Sequence, residues 1–183
     1  MRIIAGQFKS RRLKGTPPPG IRPTSDKLRE TLFNVLGPRV QDAILFDGCA
    51  GTGGVGIEAI SRGAKFVYFV EQSRKAGAMI RDNLSSLGVG DGFQVLDMDV
   101  VAALALLERQ DVTLDIAFLD PPYEREDLYT KVLESFGAGS LIEGGILVIE
   151  HSKRLELPAR EGSLEKFRSI LHGDSGLTFY RKA

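Results

Sequence analysis

The sequence has 183 residues, and its 24 Lys+Arg balance its 24 Asp+Glu. With 43% hydrophobic and 26% charged residues it suits one soluble globular domain, and it has no run of about 18 apolar residues to cross a membrane. One cysteine and two histidines exclude an internal disulfide framework and Cys-x-x-Cys-His haem attachment and argue against a Cys/His zinc site, while an N-terminus without an apolar leader makes the cytoplasm the expected location.

The zero net charge is unevenly spread. Residues 1–40 carry nine cations (Arg2, Lys9, Arg11, Arg12, Lys14, Arg22, Lys27, Arg29 and Arg39) against Asp26 and Glu30, a net +7 that leaves the remainder at −7. A basic arm suits a polyanion, and a solvated extension explains it equally well. Residues 2–14 alternate weakly, as in a short hairpin. Gly15-Thr-Pro-Pro-Pro-Gly20 is a stiff linker, since consecutive prolines favour extended geometry. Thr24 or Ser25 can cap a helix whose apolar face is Leu28, Leu32, Phe33 and Leu36. Lys27 and Arg29 project from other parts of it, and Gly37-Pro38 ends it.

From residue 43 the pattern is regular. Strands are expected at 43–46, 65–70, 93–96, 115–119 and 145–150. Helices are expected at 53–62, 73–87, 100–108 and 126–136 between them. Residues 167–172 and 177–181 form a strand pair across Gly173-Asp-Ser-Gly176. Alternating strands and helices imply an α/β fold with a mostly parallel sheet, here of seven strands, and the last pair gives it an antiparallel C-terminal edge.

The first strand runs into Asp47-Gly-Cys-Ala-Gly51-Thr-Gly53-Gly-Val-Gly56, which satisfies G-x-G-x-x-G between a strand and a helix. Glu71 ends the next strand, where a carboxylate can accept hydrogen bonds from both ribose hydroxyls. A dinucleotide and S-adenosylmethionine both fit such a loop. Asp47 separates them: a carboxylate there repels a pyrophosphate and suits a ligand bearing an ammonium and a sulfonium. Gly48, Cys49, Gly51, Gly53, Gln72 and Met98 complete the cofactor set. After the third strand, Asp99 is the candidate for the adenine amino group and Asp97 the reserve, although Asp99 can equally be a helix cap.

Asp120-Pro-Pro-Tyr123 follows the fourth strand, and in an open parallel sheet ligands bind beyond the carboxyl ends of the strands. The exocyclic amine of a nucleobase is a poor nucleophile because its lone pair is delocalised. Two acceptors aimed at its N–H bonds, the Asp120 carboxylate and the Pro121 carbonyl, localise that pair, and Pro121 and Pro122 stiffen the turn. Tyr123 can stack on the base. No covalent intermediate is required, so Cys49 reads as a small filler.

Together these residues resemble the Rossmann-like, S-adenosylmethionine-dependent amino-methyltransferases with an (Asp/Asn)-Pro-Pro-(Tyr/Phe) motif. Arg2-Ile-Ile-Ala-Gly-Gln-Phe-Lys-Ser-Arg-Arg-Leu13 and Arg22-Pro-Thr-Ser-Asp-Lys-Leu-Arg-Glu-Thr-Leu-Phe-Asn34 are similar to the start of the RsmD family. The loop departs from that family's usual Asp-(Leu/Cys)-Phe-Ala-Gly-Ser-Gly at Gly48 and Cys49. The resemblance covers essentially the whole chain. It implies methylation of guanine N2 in small-subunit (16S) ribosomal RNA, free or in a partly assembled 30S particle, by a monomer. It further implies a basic RNA-binding extension over residues 1–20 and a methyltransferase domain over 21–183. Arg2, Phe8, Arg11, Arg12, Lys14, Arg22 and Thr24 are the expected RNA contacts, with Phe8 able to stack on a base. The alternative chemistry is DNA adenine-N6 methylation, against which stands the lack of an insertion for reading DNA sequence.

Overall fold

A computed structural model describes residues 1–15 and 24–183. The chain divides into two compact units, Met1–Val100 and Val101–Ala183.

In the first unit, residues 1–15 fold back on themselves, but Arg2 and Arg12 form a single antiparallel bridge rather than a two-stranded ladder. Their backbone instead bonds to the helices beneath. Ile4 and Ala5 N–H donate to the Glu58 carboxylate at 2.8 and 3.0 Å, and Gln7 N–H donates to the Ser61 carbonyl at 2.8 Å. Farther on, Lys14 N–H donates to Asn83 Oδ1 at 2.7 Å, and Asn83 Nδ2 donates back to the Lys14 carbonyl at 3.1 Å. The basic segment is therefore fixed in place.

Helix α1 (Asp26–Leu36) is capped by Ser25, whose hydroxyl accepts from Leu28 N–H, and it stops at Gly37. A 3₁₀ turn, Gly37–Val40, follows, which the sequence pattern did not suggest. Leu28, Leu32, Phe33 and Leu36 are buried as expected. Arg29 corrects the expectation, because it is fully buried. Its guanidinium donates to the Arg2 carbonyl and Asp26 at 2.7 Å, to the Gly54 carbonyl at 3.2 Å and to Glu58 at 3.4 Å. Arg62 reaches the other Glu58 oxygen at 2.8 Å. A buried charge is tolerated only with such partners.

The strands of this unit are β1 (Ile44–Gly48), β2 (Phe66–Val70) and β3 (Phe93–Leu96). They pair in parallel in the order β3-β2-β1. Between them run α2 (Gly54–Ser61) and α3 (Arg74–Leu87), the latter capped by Ser73 and closed by Gly88 in the left-handed conformation. Leu45, Phe46, Val67, Phe69, Ile57 and Ile80 fill the core between sheet and helices.

The second unit contains α4 (Val100–Arg109) from its second residue on, β4 (Leu114–Leu119), α5 (Glu126–Ser135) and β5 (Leu141–Ser152), with β4 and β5 parallel. The chain then turns antiparallel through β6 (Arg160–Glu161), β7 (Leu164–His172) and β8 (Ser175–Lys182), paired in the order β5-β8-β7-β6. The α/β class and antiparallel C-terminal edge are as expected. The strands among the described residues number eight because the two-residue β6 is too short to leave an alternation in the sequence. Strand β5 starts four residues early, where Leu141 pairs with Leu114 and the register then shifts. Buried His151 bridges the Ser152 carbonyl and the Thr178 hydroxyl, and burial lowers its pKa. Among the described residues no helix is long and apolar enough to cross a membrane.

Candidate active site

At the end of β1 the chain makes three left-handed steps, at Cys49 (φ 58°), Gly51 (φ 54°) and Gly53 (φ 73°). Glycine takes this conformation freely, whereas Cys49 takes it at a steric cost. Gly56 has a different role. A Cβ there would lie 2.2 Å from the Phe69 ring, so this glycine lets α2 close on β2.

Two carboxylates hold the loop. Asp47, 1% exposed, accepts the Gly56 N–H at 2.8 Å. Glu71 accepts the Gly51 N–H at 2.8 Å through one oxygen and the Ser73 N–H at 2.7 Å through the other. An ionised carboxylate has about four acceptor positions, so Glu71 keeps capacity for further donors. Glu71 is thus tied to Gly51 and Asp47 to Gly56, while Gly53 N–H donates to the Ala50 carbonyl at 2.7 Å. The acceptor oxygens of Asp47 and Glu71 fit a ligand that brings hydroxyl donors.

Burial pushes the Asp47 carboxyl up to about 8; the Gly56 hydrogen bond opposes this and the Glu71 charge adds to it. Between the ordinary value of 3.8 and about 8 the native protein holds a proton that the unfolded chain has released. This contribution to stability is full below that window and is lost as pH rises through it. Asp47→Asn, which keeps an acceptor for Gly56 but cannot ionise, is expected to raise the ligand-free Tm at pH 8 and to leave it near wild type at pH 4. Parallel Tm–pH curves for the two proteins would exclude a strained Asp47 charge.

After β3, Asp97 is committed to Arg81, with bonds of 2.7 and 3.2 Å. Asp99 is exposed and immediately precedes α4, beside half-buried Met98; Gln72 is exposed beyond β2.

In the second unit, β4 leads directly into Asp120-Pro-Pro-Tyr123. Asp120 and Tyr123 are half-buried, Pro121 is buried and Pro122 is exposed. Arg125 N–H donates to the Pro122 carbonyl at 2.9 Å and closes the turn. The Tyr123 hydroxyl pairs with the Ser175 hydroxyl at 2.7 Å, and the Tyr129 hydroxyl donates to the Pro121 carbonyl at 3.1 Å. Sequence reasoning missed Ser175 and Tyr129. Ser175 opens β8, 52 residues away, and Tyr129 falls on the apolar stripe of α5 and reads as core.

Of the expected RNA contacts, Arg2, Arg11, Arg12 and Lys14 are exposed, and Phe8 and Thr24 are half-buried; Arg22 lies outside the described residues. Arg11 also donates to the Ser86 carbonyl at 3.2 Å.

The family model described as conserved hypothetical protein 95 matches residues 1–181. Ribosomal RNA small subunit methyltransferase D of Escherichia coli K12 is 31% identical over 182 residues, covering 100% of this chain and 90% of the relative. The protein YlbH of Bacillus subtilis 168 is 36% identical over 182 residues, covering 100% and 99%. Among solved structures, the chain is similar to YhhF of Escherichia coli, with a TM-score of 0.87 at 31% identity, covering 100% of this chain and 97% of that one.

Proposed function

The chain belongs to the conserved hypothetical protein 95 family, and from that premise we propose that it transfers a methyl group from S-adenosylmethionine to the exocyclic N2 amine of a guanine in small-subunit ribosomal RNA. The observation that carries the chemistry is the Asp120–Tyr123 turn, which presents a carboxylate and a bonded backbone carbonyl on a frame of two prolines.

S-adenosylmethionine, when bound, supplies an electrophilic methyl group on a sulfonium. Its positive charge beside Asp47 favours loss of the proton that burial holds there, so that Asp47 can offset that charge. Glu71 accepts from the ribose hydroxyls, and Gly51 and Gly53 let the loop run close beneath the ligand. Asp99 takes the adenine amino group, a role supported by the commitment of Asp97 to Arg81. Gly48, Cys49, Gln72 and Met98 line the same site. Asp120 and the Pro121 carbonyl accept the two amine N–H bonds, so the nitrogen lone pair localises as the methyl group arrives. The proton released on methylation passes toward Asp120. Tyr123 stacks on the guanine.

Residues 1–20 form the RNA-binding extension of a methyltransferase domain spanning 21–183. The arm's backbone is fixed on α2 and α3 while its cations are exposed. Replacing Arg11, Arg12 and Lys14 with glutamine is expected to weaken RNA binding. It should also reduce the slope of log K against log salt by about 2, at roughly 0.7 per lost phosphate contact on single strands. An unchanged slope would remove the arm from the interface. The enzyme acts as a cytoplasmic monomer, on RNA that is free or held in a partly assembled small subunit.

A nucleoside digest of small-subunit RNA methylated in vitro tests the assignment. N2-methylguanosine is the expected product. N6-methyladenosine would transfer the same chemistry to the other base.

A further inference from the structure

Resting on that reading, we infer that Tyr129 is a positioning residue of the reaction: its buried hydroxyl sets the direction in which the Pro121 carbonyl meets the target amine. The hydroxyl donates to that carbonyl oxygen at 3.1 Å across eight residues of chain, and Tyr129 is 2% exposed.

An ordinary peptide plane is anchored from both sides, by its N–H and by its C=O. The plane between Pro121 and Pro122 has no N–H, because its nitrogen belongs to the Pro122 ring. Its rotation is therefore governed by ring geometry and by whatever bonds the carbonyl oxygen. The next peptide plane is already fixed, since Arg125 N–H donates to the Pro122 carbonyl at 2.9 Å. Tyr129 supplies the anchor for the plane before it.

A carbonyl oxygen has two lone-pair directions. Donation from Tyr129 occupies one and aims the other. Lone-pair localisation on the amine needs two acceptors at a fixed angle, so a carbonyl free to swing by a fraction of an ångström costs rate without costing affinity.

The surroundings of Tyr129 favour this role over simple filling. Its neighbours on the buried face of α5 are Leu128, Val132 and Leu133, all apolar. Phenylalanine would fill that space without a buried hydroxyl to satisfy. The hydroxyl here meets the one backbone carbonyl that the proposed chemistry requires.

The test is Tyr129→Phe, which removes one oxygen and keeps the ring. The expected result is a kcat lower by roughly ten-fold, with KM for RNA and the dissociation constant for S-adenosylhomocysteine within about two-fold of wild type. Carbonyl-¹³C proline labelling adds a readout independent of turnover: the Pro121 carbonyl resonance should shift in the variant. Tyr129→Leu, which also removes the ring, serves as the packing control and should lower Tm well beyond any change in Tyr129→Phe. An unchanged kcat or an unmoved Pro121 resonance in Tyr129→Phe would overturn the inference, as would a kcat loss that merely tracks a fall in Tm. A wild-type protein that methylates no guanine would instead overturn the functional reading beneath it.

Discussion

Replacing Asp120 with alanine is expected to lower kcat by about 10²- to 10⁴-fold while leaving S-adenosylmethionine affinity within about two-fold of wild type. The amine of guanine is nearly planar, and alanine removes the anionic acceptor that draws on one of its N–H bonds. The Pro121 carbonyl, held by Tyr129, would remain. Asp120→Asn keeps an acceptor oxygen and should lose less. Single-turnover methyl transfer reports the chemical step, and calorimetry of cofactor binding shows that the loss is not one of affinity. Full activity in Asp120→Ala would eliminate the proposed role.

The second large effect concerns stability. Glu58 accepts from the Ile4 and Ala5 N–H groups, Arg29 and Arg62, at 2.8 to 3.4 Å, and its side chain has no exposed surface. Glu58→Ala leaves the fully buried Arg29 guanidinium without this carboxylate and frees two backbone donors of the arm. Breaking a buried pair from one side costs about 3–5 kcal/mol, which in a chain of this size lowers Tm by roughly 10 °C. The double variant Arg29→Met with Glu58→Leu removes both buried charges and should be milder than Glu58→Ala alone. Thermal unfolding of wild type and the two variants decides it. A double variant that loses as much Tm as Glu58→Ala would mean that the two side chains do not act as a unit.

Arg29 also marks where sequence reading stopped. The helix face of Leu28, Leu32, Phe33 and Leu36 was legible from spacing alone. Position 29 borders that face, but an arginine there reads as a polar flank because its partner Glu58 is 29 residues away. Ser175 and Tyr129 were hidden for the same reason: a side chain's hydrogen bond to distant backbone or to a distant hydroxyl leaves no periodic trace. What the sequence carried was the chemistry with local spacing. Asp47, Gly51, Gly53 and Glu71 stand at strand ends, where the topology brings them together, and Asp120–Tyr123 is contiguous. The arm's charge was legible too, but its attachment was not. Backbone donors of Ile4, Ala5 and Lys14 are satisfied by Glu58 and Asn83, and no residue type within the arm announces that.

Labelled methyl transfer to small-subunit particles that lack the modification measures methylation of a guanine amine without intermediary steps. About one methyl group per particle is predicted, recovered as N2-methylguanosine from a single position. No transfer to particles or to their free RNA, or label recovered only on adenine, would contradict it.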